Sequence, residues 1–194
     1  MASEWDDYAE KWELDESTIH FADHAFKALS EVVELTDLEV LDFGCGTGLL
    51  SQRLSPLVKN IVALDSSEAM IEQLDKKMLM NVEPVVDMLT RGLVAQHPAF
   101  RKQFDLVVAS SVCGFLKSFS EVADIIYAIL DEGSTFVHFD WLLEDGEQGV
   151  GMTQAKTEQV LTSVGFESVS VSVPFEIKTQ TGVKKVLMGV AKKA

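Results

Sequence analysis

The sequence predicts one α/β domain with a mostly parallel sheet and helices on both faces, and three observations lead to this fold class. Strand-type apolar runs alternate with amphipathic helical segments along most of the chain, as in parallel strands joined by right-handed crossovers. A glycine-rich turn over residues 44–48 joins the first strand to a helix. The chain ends in two strand-like segments around a turn, which predicts an antiparallel hairpin.

The length and composition fit a single domain. A chain of 194 residues, 47% of them hydrophobic, is long enough for one sizeable core and short for two. No internal repeat, low-complexity tract or linker interrupts the sequence. We therefore expect one domain over residues 1–194, with an N-terminal helical segment at residues 1–36 and the core at residues 37–194.

The first predicted element is an amphipathic helix over residues 17–35, where apolar residues recur at steps of three and four. They are Ile19, Ala22, Phe26, Leu29 and Val33. A strand at residues 39–43 follows, and then the glycine turn. A short helix begins at Leu49 and stops before Pro56, because the residue before a proline disfavours helix.

The next segments continue the alternation of strand and helix. The run NIVALD, residues 60–65, is a second buried strand. The run SSEAMIEQLDKKM, residues 66–78, has serine and aspartate as candidate helix caps and an apolar stripe at Met70, Leu74 and Met78, which predicts a helix.

The remaining elements complete a set of seven strands. EPVVDML at residues 83–89, FDLVVAS at 104–110 and STFVHFDW at 134–141 are predicted strands, and FSEVADIIYAIL at 119–130 is a predicted helix. After another helix at about residues 153–163, apolar and polar residues alternate strictly from Val169 to Ile177. TQTG then predicts a turn, and VKKVLMGVA returns as the last strand.

Charge and hydropathy exclude several classes of partner. The 31 acidic and 16 basic residues give a formal charge of −15, which repels polyanions and disfavours DNA, tRNA and rRNA as substrates. No apolar run approaches the roughly 20 residues that span a bilayer. The acidic N-terminus lacks the apolar stretch of a secretory signal, so we expect a cytoplasmic protein with no membrane partner.

The glycine turn predicts a nucleotide-type ligand. Its spacing is G-x-G-x-G, and Leu49 stands where a dinucleotide fingerprint has its third glycine, which weakens NAD as the ligand. Asp42 precedes the first glycine by two residues. A carboxylate there would repel a pyrophosphate and suit an ammonium and a sulfonium. The methionine end of S-adenosylmethionine (SAM) carries both groups.

Two further acids follow predicted strands. Asp65 ends the second strand, seventeen residues beyond Gly48, where an acid can accept hydrogen bonds from a ribose diol. Both NAD and SAM carry that diol. Asp87, at the end of the third strand, could accept from an adenine amino group while the Met88 amide meets a ring nitrogen.

The runs VLDFGCGTG, VALDSSEAM, VVDML and FDLVVASSVCGFL, in this order and spacing, resemble motifs of the class I SAM-dependent methyltransferases. The resemblance extends from about residue 5 to the end of the chain. It implies a Rossmann-like seven-stranded sheet, SAM as methyl donor and S-adenosylhomocysteine (SAH) as product. It places donor binding at Asp42, Gly44, Cys45, Gly46, Gly48, Asp65, Ser66, Asp87, Met88, Ala109 and Ser110.

One departure from the family bears on mechanism. Many small-molecule members have a histidine soon after the fourth strand, whereas this chain has Gly114 and Phe115 there. The catalytic residues are therefore left unassigned. If a general base is needed, His138 and Asp140 on the fifth strand are candidates, although a hydrogen-bonded core histidine is the favoured interpretation of His138.

Aromatic residues at helical spacing mark the N-terminal segment. Trp5, Tyr8 and Trp12 could form a lid over donor and acceptor or an ordinary docked helix, and Trp141 is predicted on the acceptor side. His20 and His24 have the spacing of a metal pair but no evident third ligand. We therefore interpret both as polar-face residues of the first helix and predict no metal site.

The two cysteines, Cys45 and Cys113, show neither a C-x-x-C pair nor a metal-ligand spacing. Because the first and fourth strands are neighbours in this topology, both thiols are expected near one crevice; the favoured alternative is that each is a small buried hydrophobe. As a whole, the sequence predicts SAM-dependent methyl transfer by in-line displacement to a small molecule or protein side chain. The alternative is a non-catalytic protein that binds SAM or SAH or acts as an interaction module.

Overall fold

The computed structural model describes residues 5–144 and 146–194, which form one seven-stranded sheet with helices on both faces. The strands are β1 (Glu39–Phe43), β2 (Asn60–Asp65), β3 (Val82–Val86), β4 (Phe104–Ser110), β5 (Leu130–Trp141), β6 (Ser168–Thr179) and β7 (Gly182–Lys192). The α-helices are α1 (Glu16–Val32), α2 (Leu49–Leu54), α3 (Glu68–Asp75), α4 (Arg91–Gln96), α5 (Phe119–Ile129) and α6 (Gln154–Val164). Short 3₁₀ helices cover Ala9–Leu14, Pro98–Phe100 and Cys113–Phe115.

The strand order is β3-β2-β1-β4-β5-β7-β6. Strands β1 to β5 run parallel, and β7 is antiparallel to both β5 and β6. The predicted fold class, a mostly parallel sheet with a closing antiparallel hairpin, is therefore confirmed. The order reverses between β1 and β4, and ligands bind beyond the carboxyl ends of the strands at such a point.

Two hydrophobic layers hold the helices against the sheet. Successive residues of β1 point to opposite faces, so that Val40 packs in the layer with α1, α2 and α3, whereas Leu41 packs in the layer with α4, α5 and α6. The strands of the sheet centre are apolar on both faces because both are covered. None of the helices in the described ranges combines the length and the apolar character needed to cross a bilayer.

Side-chain caps fix the starts of two helices that border the cavity. Asp15 Oδ1 accepts a hydrogen bond from the Ser17 amide at 2.9 Å at the start of α1, and Ser67 Oγ accepts one from the Met70 amide at 3.1 Å at the start of α3. Such caps replace hydrogen bonds that the first helical turn lacks. The amphipathic pattern predicted α1 to run to residue 35, but the helix ends at Val32 because Val33 has extended backbone angles.

Two boundary predictions were wrong for identifiable reasons. Helix α3 ends at Asp75, and Met78 has a positive φ of 52° and is 81% exposed, so it cannot extend the buried stripe of Met70 and Leu74. The third strand stops at Val86 rather than continuing to residue 89. The neighbouring β2 ends at Asp65, whose carbonyl accepts from the Asp87 amide, so the chain beyond Asp87 has no strand to pair with.

Candidate active site

A cavity of about 890 Å³ lies at the carboxyl ends of the parallel strands. Its walls come from the turns after β1, β2, β3 and β4, from the N-terminal segment and from the first turns of α1. A cavity of this size accommodates a nucleoside-sized ligand together with a second molecule. Its position agrees with the ligand crevice expected where the strand order reverses.

The glycine turn forms the floor of the cavity between β1 and β2. The amides of Gly44 and Cys45 donate to the Leu64 carbonyl at 2.7 and 3.1 Å. Gly44 and Gly46 have φ angles of 68° and 54°, in the region that side chains disfavour. A methyl group at Gly44 would overlap Val112, whereas one at Gly46 would meet Trp12 Nε1 only at 3.8 Å. The turn therefore lets a ligand approach its backbone at Gly46.

Asp42 places a buried carboxylate in the cavity wall. The residue is 1% exposed, and its Oδ2 accepts a 2.6 Å hydrogen bond from Ser51 Oγ. Its Oδ1 has no hydrogen-bond partner among the described residues. Burial, with Asp65 nearby, raises the pKa of Asp42 to about 6. An unpaired buried carboxylate oxygen is costly, and a cationic ligand group at this position would relieve that cost.

Asp65, at the end of β2, ties the glycine turn to the neighbouring strand. Its Oδ2 accepts from the Gly46 amide at 2.8 Å and its Oδ1 accepts from the Ser67 amide at 2.9 Å. Each oxygen keeps a second lone pair, so Asp65 can still accept from hydroxyl groups of a ligand. Burial raises its pKa.

Asp87 and Met88 border the cavity just beyond β3, where both are exposed. The Met88 amide donates to Oδ1 of Asp87 at 2.7 Å. The sequence had suggested that this amide meets a ring nitrogen of adenine. In this structure the amide is engaged within the loop, and it would have to exchange partners to make that contact.

The structure brings most of the predicted donor-binding residues to one cavity. Those that line it are Asp42, Gly44, Cys45, Gly46, Asp65, Ser66, Asp87, Met88 and Ser110. Gly48 and Ala109 do not line it: Gly48 directly precedes α2, where a side chain would strike Leu74, and Ala109 is fully buried within β4. Residues outside the cavity can shape it only through the backbone they hold in place.

His138 and Asp140 lie in the core behind the cavity. Both are buried, and neither lines the cavity wall. His138 Nδ1 is 2.8 Å from Oδ2 of Asp140, whose Oδ1 accepts from the Gly114 amide at 2.7 Å. The interpretation of His138 as a hydrogen-bonded core histidine is confirmed. Asp140 instead fastens the turn after β4 to β5.

The cysteines share burial but not location. Cys45 lines the cavity, whereas Cys113 does not, so the prediction that both face one crevice holds for Cys45 alone. Burial raises the pKa of each thiol. Cys113, His138 and Asp140 bring one potential ligand atom each to within 4.8 Å of one another, but Asp140 already holds Gly114 and His138. His20 and His24 are exposed on α1, as predicted for polar-face residues.

The N-terminal segment covers the glycine turn. Trp5 and Trp12 line the cavity, and Trp5 packs edge-on against Trp12 and Phe115 at centroid distances of 5.8 and 5.2 Å. Tyr8, in contrast, is 58% exposed. The segment thus forms a cover at the cavity mouth and not an ordinary core helix. Whether this cover moves as a lid stays a prediction.

Polar contacts anchor this cover to the residues around the glycine turn. Ser67 Oγ donates to Asp6 Oδ1 at 2.5 Å, and Thr47 Oγ1 donates to Glu13 Oε1 at 2.7 Å. Lys77 forms an ion pair with the same Glu13 oxygen at 2.6 Å. These contacts join the segment to the loops that would hold a ligand.

The sequence predicted that the N-terminal helices contribute to the acceptor pocket, but it did not identify which residues of α1 line the cavity. Ser17, Thr18, Phe21 and Ala22 line the cavity, and Phe21 packs edge-on against Trp141 at 5.1 Å. Phe21 lies off the predicted apolar stripe of its helix. A large aromatic residue outside such a stripe was the available signal.

Comparisons with known proteins agree with this geometry. The chain matches the methyltransferase domain family over residues 41–136. An uncharacterised methyltransferase of Schizosaccharomyces pombe is 33% identical over 108 residues, which are 52% of this chain and 38% of that protein. The chain spans 25% to 38% of the length of two curated relatives that it matches.

Solved structures share the fold over nearly the whole chain. The DhpI protein in complex with SAM and HEP superposes with a TM-score of 0.74 at 20% identity, covering 97% of this chain and 94% of DhpI. Magnesium protoporphyrin IX methyltransferase (ChlM) from Synechocystis PCC 6803 with bound SAM gives 0.67 at 18% identity, covering 92% of this chain and 80% of ChlM. With its motifs, sheet order and family match, this chain belongs to the class I SAM-dependent methyltransferases.

Proposed function

We propose that this protein transfers the methyl group of SAM to a small molecule or a protein side chain by in-line displacement. The observation that carries the proposal is Oδ1 of Asp42, a buried carboxylate oxygen without a partner among the described residues, at the wall of a cavity beside the glycine turn. A ligand with an ammonium group near its reactive end satisfies that oxygen. A dinucleotide would instead bring a pyrophosphate toward it.

The remaining wall residues support the same donor. Asp65 has lone pairs left for a ribose diol, and Asp87 is exposed to the cavity at the far end, beyond β3. The three acids lie at or just beyond the carboxyl ends of β1, β2 and β3, which are adjacent in the sheet. A ligand extended along this edge would place its cationic end at Asp42 and its nucleoside end at Asp87.

The chain's own residues would act by positioning and by excluding water. SAM supplies a methyl group already activated by a positive sulfur. Trp5 and Trp12 cover the glycine turn, and this cover limits solvent around the reacting atoms. Holding two reactants in line supplies much of the acceleration that such a transfer needs.

The proposal is tested first by ligand binding. We expect saturable calorimetric binding of SAH and no binding of NADH. Asp42→Asn and Asp65→Ala should each weaken SAH binding at least about tenfold, a loss of roughly 1.4 kcal/mol. Asp131→Asn is the matched control, because Asp131 is exposed at the start of β5 and does not line the cavity.

Turnover separates an enzyme from a binding protein. Release of SAH from SAM in the presence of a panel of acceptors, above the rate without acceptor, is expected for a methyltransferase. Binding of SAH without turnover of any acceptor would favour the non-catalytic alternative. Binding of NADH in place of SAH would overturn the proposal.

A further inference from the structure

We propose that the methyl acceptor is a small apolar thiol, which reacts as its thiolate against the aromatic wall formed by Phe21 and Trp141. This inference rests on the proposed function and names the substrate class of the same site. Three observations support it. The donor leaves one end of the cavity free, the walls of that end are apolar and aromatic, and the elements that form those walls contribute no charged side chain from the described residues.

The sheet order divides the cavity into two ends. The acids at the carboxyl ends of β1, β2 and β3 occupy one end, while Ser110 at the end of β4 and Trp141 at the end of β5 lie on the other side of β1. A donor spread over the acidic end points its methionine portion toward β4. The space between α1, β4 and β5 then remains for the acceptor.

The walls of this second end are largely apolar and aromatic. Phe21 is buried against Trp141 at a centroid distance of 5.1 Å and against Phe175 at 5.7 Å. Phe115, on the turn after β4, also lines the cavity and packs edge-on against Trp5. The remaining polar groups at this end are the hydroxyls of its wall, those of Ser17, Thr18, Ser110 and Ser111.

Among the described residues, no charged side chain that lines the cavity lies on α1, in β4 or at the end of β5. The charged residues that line the cavity are Asp42, Asp65, Asp87, Arg91, Lys117 and Glu121. Arg91 pairs with Asp124 on α5, and Glu121 lies one turn before Asp124 on the same helix. We therefore assign Arg91 and Glu121 to the nucleoside end. Lys117 is exposed on the turn after β4. The carboxylate of Asp42 pairs with the cationic end of the donor in the proposed complex.

An acceptor at this end must therefore arrive with its reacting lone pair available. Alkyl amines and phenols have reference pKa values of about 10 and therefore hold their proton at neutral pH, whereas a thiol, with a reference pKa of about 8.5, loses its proton more readily. A carboxylate is ionised but strongly hydrated, so an apolar wall would disfavour it. A thiolate is the nucleophilic form of a thiol and forms near neutral pH, and sulfur makes favourable contacts with aromatic rings.

The reaction balances without a group from the protein. The thiol loses its proton to solvent before it reacts. A sulfur lone pair of the thiolate then forms the new bond to the methyl carbon, while the bond from that carbon to the donor sulfur breaks and its electron pair stays on the donor sulfur. The products are a methyl thioether and SAH.

The test compares acceptors of matched shape. With SAM at pH 7.5, we expect kcat/KM for benzenethiol to exceed that for phenol and for 2-mercaptoethanol by at least about tenfold, because phenol has a pKa near that of tyrosine, about 10, and mercaptoethanol lacks the ring. The rate with phenol should rise with pH toward the pKa of phenol itself. A plateau near neutral pH would reveal a base on the protein and overturn the inference.

A binding measurement independent of turnover uses the tryptophans. All three tryptophans of the chain, Trp5, Trp12 and Trp141, line the cavity, so their fluorescence should change when thioanisole, the methylated product of benzenethiol, binds to the SAH complex. Phe21→Leu should weaken thioanisole binding at least about fivefold and leave SAH binding unchanged. Phe26→Leu is the matched control, because Phe26 lies on the same helix and does not line the cavity.

The outcomes separate the two proposals. Failure of SAH to bind would overturn the proposed function. Binding of SAH with equal methylation of phenol, mercaptoethanol or a lysine peptide, or with no methylation of benzenethiol, would overturn the thiol inference and leave donor binding intact. Equal effects of Phe21→Leu and Phe26→Leu on thioanisole binding would also overturn it.

Discussion

Ser51 holds one oxygen of Asp42 and leaves the other unpaired. The Ser51 hydroxyl, on α2, donates a 2.6 Å hydrogen bond to Oδ2 of Asp42 at the end of β1, and Oδ1 has no partner among the residues that the structure describes. The glycine turn between the two residues brings α2 back over the strand, so that this pair forms. The carboxylate is oriented before any ligand binds, and such preorganisation lowers the cost of binding.

The raised pKa of Asp42 predicts a pH-dependent stability of the ligand-free protein. The folded protein keeps this proton up to about pH 6, whereas the unfolded chain loses it near pH 4. The free energy of unfolding should therefore fall as pH rises from about 4 to 6, by about 3 kcal/mol from this group, and level off above. Urea denaturation from about pH 4 to above pH 6 measures this change in the free energy of unfolding.

The variant Asp42→Asn isolates the contribution that ionisation of Asp42 makes to the free energy of unfolding. The difference in unfolding free energy between the variant and the wild type should grow in the variant's favour over the same pH interval, because the amide cannot ionise. Asp131→Asn should show no such change. A constant difference between Asp42→Asn and the wild type from pH 4 to 7 would contradict the assignment.

Replacing two glycines of the turn, one at a time, with alanine should separate the effect on stability from the effect on SAH binding. Both positions have positive φ, which costs a side chain roughly 1–2 kcal/mol. Gly46→Ala adds only distant contacts, so we expect a stable protein with weakened SAH binding. Gly44→Ala also overlaps Val112, so its unfolding free energy should fall further, by roughly 3 kcal/mol in all.

A double variant checks the cause of the larger loss. Val112→Ala removes the two methyl groups that Gly44→Ala would strike, so the double variant should recover the excess over Gly46→Ala. Thermal or urea unfolding provides the comparison for five proteins: the wild type, Gly44→Ala, Gly46→Ala, Val112→Ala and the double variant. The explanation fails if Val112→Ala brings no recovery.

Donor binding should protect Cys45 from alkylation and leave Cys113 unaffected. Cys45 lines the cavity and Cys113 does not. Burial raises the pKa of both thiols, so both should react slowly. We expect saturating SAH to slow iodoacetamide labelling at Cys45 at least about tenfold, since a site with ligand at 100 times Kd is about 99% occupied. Labelling of Cys45 is measured in the Cys113→Ala protein and labelling of Cys113 in the Cys45→Ala protein, and NADH is the control ligand.

Removing the cover over the glycine turn should speed the release of SAH. Trp12 lies directly above Gly46 and lines the cavity. Trp12→Ala should raise the dissociation rate of SAH by about tenfold, since such changes act mainly on dissociation. Tyr8→Ala removes an exposed aromatic residue of the same segment and should leave the rate unchanged. Equal effects would show that the segment contributes only to folding.

Asp140 should matter for stability and not for proton transfer. It accepts from the Gly114 amide and lies 2.8 Å from His138 Nδ1, so Asp140→Ala leaves the buried His138 ring and the half-buried Gly114 amide without this partner. We expect a loss of about 3 kcal/mol in unfolding free energy. The pH profile of methyl transfer should keep its shape, measured below the variant's unfolding temperature. A shifted pH profile of methyl transfer in Asp140→Ala would indicate that Asp140 takes part in proton transfer.

Local sequence patterns predicted the elements that depend on neighbours along the chain. The alternation of strand and helix, the serine cap of α3 and the glycine turn each involve a few consecutive residues, and their physics is local. The end of β3 could not be predicted in this way, because Asp87 stops pairing where β2 happens to end. The ends of an edge strand depend on the neighbouring strand.

Contacts between distant segments decided the rest of the candidate site. Phe21 and Trp141 form one wall although 120 positions separate them. His138 was a candidate base until its burial beside Asp140 placed it in the core. Periodicity indicates which face of an element is apolar, but it does not indicate what that face packs against.

The sequence by itself determined the sheet class, the glycine turn and the acid that precedes it, because periodicity, backbone freedom and charge are properties of the residues themselves. Only the tertiary structure decided that Oδ1 of Asp42 has no partner within residues 5–144 and 146–194, that Trp12 covers the turn and that the acceptor end is aromatic. Each of these depends on which surfaces pack together in space, and burial then fixes the cost of a charge and the chemistry that the cavity can support.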